Sequence, residues 1–350
     1  MLTETDFLQL LRIVLACLLL ALLPGCYVLQ AARGEMQVLD ERRPIEQVIT
    51  DPKTPPPVRT TLTEVSEART FASQALGLPD NKSFRTYSDL HRDYVVWNVV
   101  ATPEFSVQPV HWCFPIVGCV AYRGYFSERD ARKLAAELKA HGDDVLVGGV
   151  PAYSTLGRFA DPVLNTMLGY GDVELAAIVF HELAHQLVYV PGDSSFNEAF
   201  ATTVEDEGVM RWLLLKGRLD ELARYRAASA RQLEYIALFR RRRTELERLY
   251  ASDLPADEKR RRKSELFAAL TADVHALEHR EGVRSPYAFW LEQGLNNAHL
   301  ASVATYYDCV PGFRRLLQNA NGDLPRFYDL VRELARRPAT ERDATVCSGH

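Results

Sequence analysis

The chain has 350 residues, 47% of them hydrophobic and 25% charged, with a formal net charge of −5 and a pI near 6.0. That balance belongs to a globular body long enough for a large core and excludes a disordered chain. It also speaks against a nucleic-acid partner, and the basic runs at 240–243 and 260–263 lie among acids on helical stretches, as solvated faces do.

In chain order, residues 13–23 form an apolar run too short to span a bilayer comfortably but of signal-peptide length. The run ends in Leu23-Pro24-Gly25-Cys26, which resembles the cleavage box of bacterial lipoproteins, with Cys26 as the lipidated first residue. The expected organisation is therefore a signal peptide over 1–25 and an anchor with a Pro-rich spacer over 26–60. It implies a bacterial cell-envelope protein facing the periplasm, held at the outer membrane by its lipid. Residues 27–43 read as a helix, 51–57 as a turn or stiff spacer, and 62–76 as a helix.

From 94 to 125 the β-branched and aromatic content rises, which predicts strands. Residues 127–141 read as an amphipathic helix and 144–148 as another strand. With Cys17 and Cys26 set aside, Cys113, Cys119, Cys309 and Cys347 remain, and they allow three pairings. Cys113–Cys119 closes a short loop naturally and leaves Cys309–Cys347 to tie down the C-terminal tail, as suits an oxidising compartment.

Residues 181–185 read His181-Glu182-Leu183-Ala184-His185. On a helix, positions i and i+4 share a face, so two imidazoles can take one Zn²⁺ while the intervening glutamate reaches a water as general base. The flanks are apolar nearly all round, which predicts a buried helix over about 173–189 that ends before Pro191-Gly192. A third ligand is available from the next helix, where Glu198 and Glu205 lie seven residues apart on one face. Glu198 also fits a capping box with Ser195.

Residues 216–283 are charged, nearly free of glycine and broken at Leu254-Pro255, so they read as a long helical hairpin. Within it, His275-Ala-Leu-Glu278-His279 is an inverted zinc word, but its flanks are those of a half-exposed helix. In the C-terminal region, 284–350, Tyr306, Tyr307 and His299 are candidates to hold an oxyanion, and Asn296 or Asn297 to bind substrate.

His181-Glu-Leu-Ala-His185 followed by Asn197-Glu198-Ala199-Phe200-Ala201 resembles the gluzincin metallopeptidases. More closely, Gln30-Ala-Ala-Arg-Gly34, Trp112-Cys-Phe-Pro-Ile-Val-Gly-Cys119, Tyr122-Arg-Gly-Tyr-Phe126 and Ala152-Tyr-Ser-Thr-Leu-Gly157 resemble a family of bacterial lipoproteins described as predicted aminopeptidases. The resemblance implies one zinc per chain, held by His181, His185 and Glu198, with Glu182 as general base and Tyr306 or Tyr307 at the oxyanion. The twelve residues between His185 and Glu198 are fewer than in the thermolysin group, whose spacing Glu205 fits better. Residues 152–157 read as a strand or loop; the same resemblance places Tyr153, Ser154 and Thr155 of that segment at the cleft, where an edge strand would pair with the substrate backbone, and makes the substrate a peptide. Glu205 could then meet its free α-ammonium.

The expected fold is α+β, mainly α. A gluzincin-like core, with a small sheet and an active-site helix pair over 61–215, is followed by the hairpin and a C-terminal region that closes the site. The competing expectation is a non-catalytic envelope lipoprotein that binds a partner through the hairpin.

Overall fold

The computed structural model describes residues 25–114 and 118–347. Helix α1 (Gly25–Asp40) opens the fold, followed by strand β1 (Arg43–Pro44), helix α2 (Ile45–Thr50) and helix α3 (Pro56–Gln74). The signal-peptide expectation, apart from Gly25, lies outside the described residues. Of the turn or stiff spacer expected at 51–57, the turn is found at 52–53, and 56–57 start a helix. Pro56 and Pro57 fill the first turn of α3, where a missing N–H costs nothing and the fixed φ suits a helix. Val38, Ile45 and Val48 just before it are buried in the main core with Leu62 and Val65 of α3.

The central sheet follows from period-two alternation. Strands β2 (Thr86–Ser88) and β3 (Val96–Thr102) precede a hairpin of β4 (Trp112–Phe114) and β5 (Gly118–Val120), then β6 (Arg123–Tyr125). Helix α4 (Glu128–Ala140) returns the chain to β7 (Asp144–Val150). The sheet order is β6-β3-β7, antiparallel throughout, with Val96 opposite Val150 and Thr102 opposite Asp144. Val99 and Ala101 of β3 pack with Ala131 and Ala135 of α4. Val100, on the other face, packs with Leu146 and with Ala298 and Ala301. Val96 and Asn98 share that second face and so look into the cavity described below. Cys113 and Cys119 face each other across the β4–β5 hairpin and form a disulfide. The turn of Gly118 lies against the backbone of Gly192, where a Cβ would come within 2.5 Å of its nitrogen, and its φ is +76°. Glycine is required there.

Strand β8 (Val163–Leu164) pairs with β2, and α5 (Asp172–Leu187) and α6 (Ser194–Leu215) follow as a closely packed helix pair. Leu175, Ala176, Val179, Phe180, Leu183 and Ala184 bury most of α5. Asp193, not Ser195, caps α6 by accepting from the Phe196 N–H. Phe196 and Phe200 pack on Phe313, and truncating such a buried ring costs about 3–5 kcal/mol.

Helices α7 (Leu219–Tyr250) and α8 (Ala256–Glu281) form the expected hairpin, with an apolar seam that includes Phe239, Leu246, Leu270 and Val274. Its basic runs are paired with acids: half-exposed Arg241 and covered Arg242 meet Asp273, Arg243 meets Asp308, Lys263 meets Asp144, and Arg260, Arg261 and Arg262 stay about half exposed. Helices α9 (Ala288–Gln293), α10 (Asn297–Tyr307), α11 (Val310–Asn319), α12 (Leu324–Ala335) and α13 (Ala339–Arg342) complete the chain. A Cys309–Cys347 disulfide holds the last turn on the start of α11. The whole is mainly helical with small sheets, and no described helix is long and apolar enough to cross a membrane.

Candidate metal centre and its cavity

Helix α5 turns His181, Glu182 and His185 toward α6, and α6 answers with Glu198 one turn in from its N-terminus. The link between the two helices is set by Asn197. Its side chain accepts from the Val190 N–H at 2.8 Å and donates to the Val190 carbonyl at 2.8 Å, which clamps the loop after α5 onto α6. A short loop can therefore bring Glu198 to the histidines.

Three donor atoms converge. His181 Nε2 and His185 Nε2 are 3.1 Å apart, and Glu198 Oε2 lies 3.2 Å from the first and 3.6 Å from the second. A tetrahedral ion with bonds of about 2.1 Å has ligand–ligand edges of about 3.4 Å. The three atoms thus match one face of such a tetrahedron, and the set of two imidazoles and a carboxylate suits zinc. Glu205 takes a different position. Its Oε2 lies 2.9 Å from His181 Nδ1, on the far side of the ring from Glu198. A carboxylate on the outer nitrogen fixes the tautomer and aim of a ligating histidine. His185 Nδ1, by contrast, is buried without a hydrogen-bond partner among the described residues.

The electrostatics agree. Burial alone would lower the pKa of His181, but Glu198 and Glu205 on its two ring nitrogens raise it well above the ordinary value. Burial likewise opposes ionisation of Glu198, yet the hydrogen bonds from His181 and His185 hold its pKa down at about 2. Burial raises the pKa of Glu182, and that of Glu205 despite its bond to His181. Glu182 has no hydrogen-bond partner among the described residues and lines the cavity. Charges of this sign gathered away from bulk water favour a bound cation.

The site forms part of the wall of a cavity of about 600 Å³. Tyr27 and Ala31 of α1, Phe114 and Val120 of the disulfide hairpin, and Val96 and Asn98 of β3 supply other parts of its wall. Among the described residues, three carboxylates line it (Glu182, Glu198 and Glu205) and no Lys or Arg does.

The remaining candidates separate. Tyr306 lines the cavity, and its pKa is raised first by the nearby Glu198 charge and then by burial. Tyr307, one residue on, lines a different cavity beside Gln232 and Tyr235. His299 accepts from the Asn296 N–H and packs on Trp290, and burial lowers its pKa to about 4. Asn296 caps α10, and Asn297 binds the Glu104 carbonyl and the Tyr250 hydroxyl. None of these three lines the cavity.

The segment after β7, expected as a strand or loop, is a loop, and Asp161 captures it. This buried carboxylate accepts from the hydroxyls of Ser154 and Thr155 and from the Thr155 N–H. Tyr153 and Ser154 still border the cavity, whereas Thr155 faces Asp161. The Tyr153 hydroxyl donates to Glu35 of α1. In the hairpin, His275 pairs with Glu278 of its own helix at 2.7 Å, with no third donor gathered beside them among the described residues.

The sequence reading missed Tyr27, Asn98, Tyr122 and Tyr189 as cavity residues. The available signal was the run Tyr122-Arg-Gly-Tyr-Phe126, noticed as a likeness without a role. No curated protein and no solved structure matches the chain. Residues 26–346, however, match the family model described as "Putative aminopeptidase", and the chain belongs to that family.

Proposed function

We propose that the protein is a zinc-dependent aminopeptidase of the bacterial cell envelope, anchored by a lipid on Cys26. The observation that carries the enzyme reading is the convergence of His181 Nε2, His185 Nε2 and Glu198 Oε2 beside Glu182 in one cavity. His181, His185 and Glu198 would hold the ion, and Glu205 would keep the His181 ring aimed at it. Bound there, Zn²⁺ supplies a Lewis acid that polarises the scissile carbonyl and acidifies water. Glu182 takes the proton of the attacking water on its carboxylate and returns it to the leaving amine. The Tyr306 hydroxyl donates to the oxyanion that forms on the former carbonyl. A lining that is acidic and, among the described residues, without Lys or Arg suits the free α-ammonium that distinguishes an aminopeptidase substrate, and Tyr153 and Ser154 are placed to touch the peptide beside it.

Metal analysis of the purified protein tests this reading, with the expectation of about one zinc per chain and chelator-sensitive release of N-terminal residues. Glu182→Gln should keep the metal and lower kcat by about 10²–10⁴-fold. Full turnover in that variant removes Glu182 from the mechanism, and a metal-free, inactive wild type removes the reading altogether.

A further inference from the structure

Helix α1 has two faces with different work to do. Its inner face is part of the catalytic cavity. Tyr27 and Ala31 line it, the Tyr27 hydroxyl donates to the Gly124 carbonyl, and the Tyr27 ring lies against Phe114 and under the Arg123 guanidinium, 4.2 Å from its centroid. Gln30 accepts from the Phe126 N–H, and Gly34 lets the helix lie directly on the Phe126 ring, which a Cβ would strike at 2.0 Å. The helix is thus pinned along its first three turns.

The outer face is apolar and uncovered. Val28, Leu29 and Met36 are 59%, 50% and 60% exposed, and they share that side of the helix with Ala32 and Arg33. Positions 28, 29, 32, 33 and 36 repeat at helical spacing, so they form one stripe. Apolar side chains on a surface stripe mark a contact, and the sequence names the partner. Cys26 directly precedes Tyr27, and only residues 24–26 separate Tyr27 from the apolar run at 13–23. A lipid on Cys26 and an uncleaved apolar anchor both bring the membrane to this same end of α1.

We propose that the outer face of α1 lies on the lipid surface, and that the catalytic cavity therefore acts on free amino termini held at that surface. A helix is about 10 Å across, so the cavity wall formed by Tyr27 and Ala31 stands roughly one helix thickness from the headgroups. An apolar stripe beside the anchor adds a second attachment to the surface and fixes how α1 lies on it. Arg33, exposed within the stripe, meets anionic headgroups. Substrates confined to the same surface reach the cavity at a raised effective concentration. This inference rests on the aminopeptidase reading above.

The test uses the full chain reconstituted in vesicles of phosphatidylethanolamine and phosphatidylglycerol. Two peptides with the same free N-terminus are compared, one soluble and one bearing a palmitoyl chain on a C-terminal lysine. The membrane-held peptide should be cleaved about tenfold faster or more at equal total concentration. Val28→Ser, Leu29→Ser and Met36→Ser combined should remove most of that advantage while the soluble peptide is cleaved at an unchanged rate. Equal rates on the two peptides, or an advantage untouched by the triple variant, overturn the membrane inference and leave the peptidase reading standing. Cleavage of neither peptide overturns both.

Discussion

Two helices of this chain each carry a pair of histidines one turn apart with a glutamate inside the word, and among the described residues only one pair gathers a third donor. On α5, His181 is 15% exposed and meets Glu198 and Glu205, both from α6. On α8, His275 is 59% exposed and meets Glu278 from its own helix, while His279 faces solvent. The spacing within a helix aligns two imidazoles in either case. The difference lies in the second element. A buried partner helix supplies a third donor and excludes the water that would otherwise satisfy the ring nitrogens. A solvated helix leaves each histidine to whatever its own turn offers.

The sharpest way to break this contrast is to remove the glutamate from each word's surroundings. Glu198→Ala should take the metal content from about one per chain to near zero, whereas Glu278→Ala should leave it unchanged; metal analysis of the two purified variants decides. Retained zinc in Glu198→Ala would hand the third-ligand role to another group. A smaller effect separates ligand from orienting partner. Glu205→Gln should weaken zinc binding by about 10–100-fold without abolishing it, read by titration against a competing chelator, because it touches the outer nitrogen of His181 alone. Complete loss of metal in that variant would show that Glu205 binds the ion itself.

The contrast also explains what could be read in advance. The α5–α6 pair was legible because apolar residues surround His181-Glu182-Leu183-Ala184-His185 on nearly every side, so the helix had to be buried and its polar atoms had to find partners. The choice between Glu198 and Glu205 was open in the spacing, since both lie on one face of α6, and only the Asn197-Glu198 likeness favoured Glu198 in advance. It turns on the loop length that Asn197 clamps, a contact between a side chain and a backbone seven residues away. Tyr306 and Tyr307 were inseparable for a related reason: neighbours on a helix point about 100° apart, and only the packing of α10 decides which looks inward. The role of α1 was hidden by its position. A segment directly after an expected anchor reads as a tether, yet Tyr27 is part of the cavity wall and Val38 part of the core. Of the strand or loop expected at 152–157, the loop is found, because Asp161, remote from any motif, holds Ser154 and Thr155 there.

The smallest effect belongs to the decoy. His275→Ala with His279→Ala should leave zinc content and turnover unchanged and shift unfolding free energy by no more than about 0.5 kcal/mol, measured by urea denaturation. An exposed histidine–carboxylate pair is screened by water and costs side-chain freedom to hold. Glu278 should behave differently from its two histidines, because its second oxygen accepts from the Ser285 N–H at 2.6 Å and so fixes the turn that follows α8. Glu278→Ala should therefore cost about 1 kcal/mol, more than both histidines together, with no change in metal. A zinc deficit in the double histidine variant would mean that the hairpin binds metal after all, and burial would then lose its standing as the feature that separates the two words.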